Sequence, residues 1–344
     1  MRLGIIGCGG ISERHARGAA LSDEVEIAAC CDVRREAAED WARRYGCEGA
    51  YDDYGTMLRE HELDGVLLAT WPNLHHEHIL GCLEASARAI LCEKSLTLTG
   101  AQALEVWRAA SGAGAVVVEA YMYRHHPAFR LLEDLVTGGE IGEMDSVRAA
   151  FSLFDPAEAT GDDEGRDWRQ RPELGGGVPW DLAGYCIDAC NRFSEAHQGH
   201  VAAVAGRNER YGTVDRLYGL IEYENGRVGI VESSKRSDFD HQLRIDGARG
   251  HALLDVAWRI EGPSEVQLAR SSGWGRFQTT RLPVAEADPY RLQLEHFARV
   301  ARGEAEAVPA LFESVVTAYT LDALLESAAE RAVVPVEVPE AVAA

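Results

Sequence analysis

The first 120 residues alternate short apolar runs with stretches of helical period, and this rhythm restricts the fold more than any other property of the chain. Met1–Ile6, Val25–Cys31, Gly65–Ala69, Ala89–Cys92 and Ala115–Glu119 read as buried strands. Glu13–Ala20, Arg35–Tyr45, His76–Ala87 and Ala101–Ser111 read as the helices between them. Strands without a polar face, separated by helices, predict an α/β domain: a doubly wound parallel sheet covered on both sides.

The first strand runs into Gly7-Cys8-Gly9-Gly10-Ile11-Ser12. This is a G-x-G-x-x-G/A pattern with Ser12 in the last place. Gly7 permits the tight turn, and Gly9 lets the backbone approach a pyrophosphate that the N-terminus of the next helix stabilises. Asp32 ends the second strand, where a ribose diol is held, so the loop sits in the context that gives the pattern meaning. A carboxylate there accepts from a 2′-hydroxyl and repels a 2′-phosphate, which favours NAD. Arg34 and Arg35 keep NADP open, since either can pair with that phosphate.

The strand at Gly65–Ala69 ends in Thr70-Trp71-Pro72-Asn73-Leu74-His75-His76-Glu77-His78. Three histidines in four residues suggest a metal, but adjacent helical positions point in different directions and only His75 and His78 are spaced to share a face. The expectation is a loop at the carboxyl end of a strand, lining a ligand crevice, with no metal. Glu93-Lys94-Ser95 follows the strand at Ala89–Cys92 and occupies the same end of the sheet. An ordinary surface ion pair is the competing reading of Glu93 and Lys94.

From Tyr121 the rhythm changes. A helix is expected at Phe129–Val136, a turn at Gly138-Gly139, and strands at Ser146–Phe154, His200–Arg207, Leu217–Tyr223, Val228–Ser233, Gln242–Asp246 and Ala252–Asp255. Asn225-Gly226 is a type I′ hairpin signal, and a run of such strands predicts a mainly antiparallel sheet. The acidic segment Asp155–Glu164 reads as a loop. Helices at Pro289–Arg302 and Leu311–Arg331 close the chain. At 344 residues, a chain of roughly two domains is expected: a dinucleotide-binding domain over 1–121 and an α/β domain over 122–344.

Within the second half, Gly175-Gly176-Gly177-Val178-Pro179-Trp180-Asp181 opens a helical pattern that continues through Tyr185 and Asp188. Spacing places Asp181, Gly184, Tyr185 and Asp188 on one side, beside an apolar stripe of Leu182, Cys186, Ala189 and Phe193. The helix is therefore expected to pack while leaving a polar edge open. A carboxylate and a phenol one turn apart are suited to proton transfer, although a buried tyrosine with a helix-face aspartate is the plainer reading.

A net charge of −22 argues against nucleic acid as a partner, because such binding rests on Lys and Arg. No apolar run approaches the ~20 residues that span a bilayer, and the first residues are too short an apolar stretch for a secretory signal. The eight cysteines lie mostly inside apolar runs rather than in CxxC pairs, which fits reduced thiols in a cytoplasm.

Several stretches together resemble the Gfo/Idh/MocA family of oxidoreductases. They are the Gly7–Ser12 loop, Asp32, Pro72-Asn73 with His76, Cys92-Glu93-Lys94, Gly139-Glu140-Ile141-Gly142, the glycine triplet before Asp181, and Asp288-Pro289-Tyr290 with Leu294-Glu295-His296-Phe297. The resemblance covers nearly the whole chain. It implies a Rossmann domain followed by an α/β domain with an open sheet that carries a homodimer or homotetramer contact. It also implies hydride transfer between nicotinamide and a carbinol or keto carbon of a sugar, cyclitol or sugar derivative. Relatives that use NAD in a non-redox glycosidase, or that are nucleotide-binding regulators, supply the alternative.

Residue by residue, the family's Glu-Lys-Pro lysine corresponds to Lys94, and its Asp-x-x-x-His motif to Asp181 and Tyr185. Tyrosine in place of histidine resembles the branch that includes glucose–fructose oxidoreductase, dihydrodiol dehydrogenase and xylose dehydrogenase. The resemblance assigns Gly7, Gly9, Gly10, Ile11, Ser12, Asp32, Arg34, Thr70, Asn73, His76, Glu93 and Lys94 to the cofactor. It makes Lys94, Tyr185 and Asp181 catalytic and leaves Tyr123, Trp168, Arg169 and Trp180 as candidate substrate-wall residues. Tyr185 is then the acid/base, helped by a cation at Lys94 that favours the phenolate, or else Lys94 carries the proton and Tyr185 donates a hydrogen bond. Two departures stand out. Ser95 replaces the motif's proline, removing a restraint on its predecessor, and Trp71 adds bulk to its loop.

Overall fold

A computed structural model describes residues 1–155, 167–238, 240–273 and 275–343. The chain divides into two compact units, one of Met1–His125 with Asp288–Ser314, the other of His126–Ala287 with Val315–Ala344. From 156 to 164, the loop expected at Asp155–Glu164 lies outside the described residues.

In the first unit, β1 (Arg2–Ile6), β2 (Glu26–Cys31), β3 (Gly49–Tyr51), β4 (Gly65–Leu68), β5 (Ala89–Cys92) and β6 (Val116–Glu119) form one parallel sheet in the order β3-β2-β1-β4-β5-β6. The helices are α1 (Gly10–Ala20), α2 (Arg35–Tyr45), α3 (Tyr54–Glu60), α4 (Pro72–Glu84) and α5 (Gly100–Ala113). The order reverses at β1 and β4, and ligands of such sheets bind at the carboxyl ends of the strands flanking that reversal. The sequence pattern missed β3 and α3. β3 is three half-buried residues long, too short to show a period.

The boundary was expected at residue 121; the first pass of the first unit runs to His125, and the second unit is not continuous to 344. The helix Pro289–Ala301, after α6 (Pro127–Thr137) and α7 (Gly184–Ser194) termed α8, belongs to the first unit. Its Leu294, Phe297 and Ala298 enter the same core as Leu3, Ile5, Ala16 and Ala19. Burying a side chain such as Phe297 contributes about 2 kcal/mol, which favours this return. Gly18 on α1 makes room for it: a Cβ there would lie 2.8 Å from the Arg291 nitrogen. Asp288 caps the helix by accepting from the Arg291 N–H, with Pro289 in the first turn.

The second unit is built on β7 (Met144–Ser152), β8 (Gln198–Arg207), β9 (Val214–Tyr223), β10 (Val228–Ser234), β11 (Leu243–Gly247), β12 (Gly250–Leu254), β13 (Ser264–Gly273), β14 (Arg276–Val284) and β15 (Val334–Pro335). They pair in the order β14-β13-β12-β11-β7-β10-β9-β8-β15, antiparallel except for β7 with β10. One face is covered by α7 and by α9 (Leu311–Glu330), whose first turn groups with the first unit. Gly229 and Gly219 permit the close approach, since a Cβ would meet Cys190 at 3.0 Å and Leu324 at 2.6 Å respectively. The opposite face keeps Val204, Tyr218 and Leu220 exposed. β13 and β14 were not legible in the sequence; β14 is exposed along most of its length and so has no alternation of apolar residues.

Candidate active site

In the first unit the loop between β1 and α1 has the features of a phosphate cradle. Gly7 has φ +99°, and a Cβ on it would lie 2.7 Å from the Ala69 carbonyl oxygen, so only glycine fits. A Cβ on Gly9 or Gly10 would meet nothing within 4 Å among the protein atoms, which leaves the space before the α1 N-terminus open. Ile11 follows in the first turn of α1. Ser12 is buried, donates to the Gly9 carbonyl at 2.5 Å and accepts from Trp41 Nε1 at 2.9 Å. Its hydroxyl thus braces the loop.

Asp32 accepts from the Cys8 N–H at 3.1 Å through one oxygen and from the Arg34 N–H at 3.0 Å through the other. The Arg34 guanidinium is largely exposed, with Nε 3.5 Å from the Asp32 carboxylate. An NAD ribose fits this donor set: a carboxylate fixed by backbone beside a glycine loop at a helix N-terminus. Gly7, Gly9, Gly10, Ile11, Ser12 and Asp32 would hold the dinucleotide.

The three neighbouring histidines diverge. His75 is fully buried, with Nδ1 2.7 Å from the Ser95 carbonyl and Nε2 3.0 Å from that of Thr70. Burial lowers its pKa, although both carbonyls oppose that effect. His76 points to Glu105 at 2.9 Å. His78 meets the Thr70 hydroxyl at 3.1 Å, and burial lowers its pKa too. Among the described residues no group of three or more His, Cys, Asp or Glu side chains is arranged to hold a metal ion. Asn73, in the first turn of α4, has a buried side-chain oxygen without a hydrogen-bond partner, suited to accept from a ligand.

Glu93 turns away from solvent. Its Oε1 lies 2.7 Å from Nε2 of the buried His15 on α1, and its Oε2 accepts from the Lys94 N–H at 3.2 Å. The loop that carries half-buried Lys94 has Ser95 in place of proline, and the Lys94–Ser95 peptide is cis. It is held by His75 at the Ser95 carbonyl and by the Leu96 N–H donating to Glu119 at 2.8 Å. Tyr123 is buried, edge-on to Tyr121 at 6.0 Å.

In the second unit a wide π-type turn, Pro179–Ala183, leads into α7. Asp181, Tyr185 and Asp188 are all buried, so the polar edge expected to stay open is covered. The glycine triplet serves packing within this unit. A Cβ on Gly176 would meet the carbonyls of Trp168, Arg169 and Arg171 at 2.6–2.7 Å, and Gly177, at φ +104°, would meet that of Val214 at 2.8 Å. Consequently the Arg169 segment lies against the helix entry. The Gly177 N–H donates to the Arg169 carbonyl, and Arg169 Nε donates to Asp181 Oδ2 at 3.1 Å. Burial works against the Arg169 charge, but Asp181 and Asp167 outweigh it and raise its pKa. Trp168 stacks beneath that guanidinium, 4.7 Å from the ring centre, while Trp180 is half-buried in the turn.

The Tyr185 ring packs edge-on against Phe151 at 5.3 Å and beside Trp258 at 5.9 Å. His241 also packs against Phe151, at 4.5 Å, and its pKa is lowered to about 4 by burial and by Arg259. It is therefore neutral above acidic pH. Lys235 is buried, with Nζ 3.7 Å from Asp181 Oδ2. Sequence reasoning missed Lys235, His241 and His15. Lys235 stands beside an arginine just past a strand and reads as surface charge; only His15, on the packed side of α1 with Ala16 and Ala19, had a pattern that placed it inside.

The strand order, the glycine loop and Asp32 define a Rossmann-type dinucleotide-binding protein with a second, mainly antiparallel α/β unit. Residues 1–121 match the NAD-binding Rossmann-fold domain of the Gfo/Idh/MocA oxidoreductase family, and residues 129–253 match a C-terminal domain of that family. D-xylose 1-dehydrogenase (NADP(+)) 2 of Haloferax volcanii is 30% identical over 338 residues, covering 98% of this chain and 100% of that protein. The chain belongs to the Gfo/Idh/MocA family and is an NAD(P)-dependent oxidoreductase.

Solved structures share the fold. Levoglucosan dehydrogenase in complex with NADH and L-sorbose matches with a TM-score of 0.87 and 23% identity, over 98% of this chain and 99% of that one. The 3-ketoreductase KijD10 of Actinomadura kijaniata, in complex with NADP and TDP-benzene, matches with a TM-score of 0.84 and 24% identity, over 95% and 97%. No helix among the described residues is long and apolar enough to cross a membrane, and the eight cysteines are free thiols.

Proposed function

We propose that this protein oxidises or reduces a carbinol or keto carbon of a sugar, cyclitol or sugar derivative, with NAD preferred over NADP. The observation that carries the reading is the carboxylate of Asp181, gripped by Arg169 one turn before the buried phenol of Tyr185, in a chain that also has a glycine cradle for a dinucleotide. The nicotinamide of a dinucleotide whose phosphates sit in that cradle would supply the hydride acceptor or donor. The protein's own task is to hold the carbinol and move one proton.

Tyr185 is the proton carrier: a phenol accepts the carbinol proton during oxidation and returns it during reduction. The apolar walls of Phe151 and Trp258 exclude water from its ring. Asp181 orients a substrate hydroxyl, and Trp168, Arg169, Trp180 and Tyr123 are the remaining substrate-contact candidates. Lys94 is the candidate cation of the first unit. Asn73, Thr70, His76, Glu93 and Arg34 complete the proposed cofactor surroundings, with Glu93 and His76 acting through His15 and Glu105. The NAD preference is supported by the backbone-fixed Asp32 carboxylate, which faces a 2′-hydroxyl better than a 2′-phosphate.

A second copy of the chain is proposed to cover the open sheet face, where Val204 pairs across strands with Tyr218, and Ile230 with Leu220. The charge of −22 supports the absence of nucleic-acid partners. The test of the function is nicotinamide absorbance with a panel of aldoses, inositols, anhydrosugars and nucleotide-linked ketosugars, each with NAD and NADP in both directions. Turnover of at least one member is expected; cofactor binding without turnover of any would contradict it.

A further inference from the structure

Arg169 and Lys235, far apart in the sequence, both reach the Asp181 carboxylate. Arg169 Nε and Lys235 Nζ lie 3.1 Å and 3.7 Å from the same oxygen, Oδ2. Arg169 is partly solvated, its side chain 41% exposed, whereas that of Lys235 is 1% exposed. A lysine ammonium is strongly hydrated, and removing it from water is costly unless a carboxylate accompanies it.

The chain places Lys235 inward by specific means. It follows directly on β10, where its N–H donates to the Asp215 carbonyl at 2.9 Å and its carbonyl accepts from the Asp155 N–H at 3.1 Å. The next residue, Arg236, turns outward and pairs with the fully buried carboxylate of Asp215. Asp215 therefore takes the exposed arginine, and Asp181 receives the buried lysine. Arg169 divides its charge between Asp181 and Asp167, the latter 3.3 Å from the same guanidinium.

We infer that Lys235 is a positioning residue of the reaction: it fixes the place and direction of the Asp181 carboxylate, so that Asp181 can hold a substrate hydroxyl. The inference rests on the reading that Asp181 contacts substrate. Its effect on the reaction is exerted through Asp181.

The test is a double-mutant cycle on the full-length enzyme, with Lys235→Met and Asp181→Asn singly and together, and with Lys235→Gln as a second variant that keeps a polar terminus. Steady-state kinetics on the substrate found in the panel are read against cofactor affinity and circular dichroism, which report the fold. Lys235→Met should lower kcat/KM for the sugar by about tenfold or more while cofactor affinity stays within about twofold, and it should have little further effect once Asp181 is Asn. Equal losses in the presence and absence of the Asp181 carboxylate would overturn the assignment, as would unchanged kinetics in Lys235→Met. If Lys235→Met does not fold, the same comparison in Lys235→Gln decides. Full turnover by Asp181→Asn alone would instead remove the underlying reading of Asp181, an outcome distinct from the first two.

Discussion

Nε2 of His15, on the first helix, lies 2.7 Å from Oε1 of Glu93 at the end of β5, and both residues are buried. The helix that begins at the glycine loop is thereby tied to the residue before Lys94. His15→Leu should lower stability by about 2–3 kcal/mol, because Glu93 would keep a buried oxygen without its partner. Urea unfolding measures this, and Glu93→Gln, which retains an acceptor oxygen, should cost less.

Two glycines of one loop should fail in different ways. Gly7→Ala meets the Ala69 carbonyl and a positive φ, so it should lose about 2 kcal/mol of stability or more. Gly9→Ala enters open space; its melting temperature should be unchanged while NAD binding weakens by about tenfold. Thermal unfolding beside a cofactor titration separates the two.

Cofactor choice is expected to respond to Asp32. Asp32→Ser removes a carboxylate that would accept hydrogen bonds from the ribose diol, worth about 1.5–3 kcal/mol, and removes its repulsion of a 2′-phosphate. The NAD to NADP ratio of kcat/KM should therefore fall by about tenfold or more, with the exposed Arg34 left to pair with the phosphate. An unchanged ratio would place the determinant elsewhere.

Acid should weaken the second unit through His241. Its pKa falls from an ordinary value of 6.5 to about 4 in the folded protein, so between those values the unfolded chain binds the extra proton. Stability then rises with pH across that window, is fully present above about pH 6.5, and is lost toward about pH 4, by on the order of 2 kcal/mol. His241→Gln should flatten the dependence in urea unfolding measured from pH 7 to pH 4.

Five strands of the first sheet were readable because each is a continuous apolar run, and four of its helices because each shows a period; that alternation leaves little choice of topology even with β3 and α3 missed. The glycine loop was equally readable, since glycine is needed at Gly7 for both φ and space. The return of Pro289–Ala301 to the first unit was not: its amphipathic stripe announces a helix but not which core it enters, and the answer lies in a gap at Gly18. The site's inner partners were hidden for the same reason. Nothing in the order Ser233-Ser234-Lys235-Arg236 says which cation turns inward, and the clamp of Arg169 on Asp181 depends on three carbonyls folding around Gly176.

Whether Tyr185 moves the substrate proton is tested most directly by Tyr185→Phe. Phenylalanine fills the space beside Phe151 and Trp258 and removes only the hydroxyl. With cofactor affinity and folding verified, kcat on the sugar substrate should fall by about a hundredfold or more. Full turnover by Tyr185→Phe with bound cofactor would contradict the account.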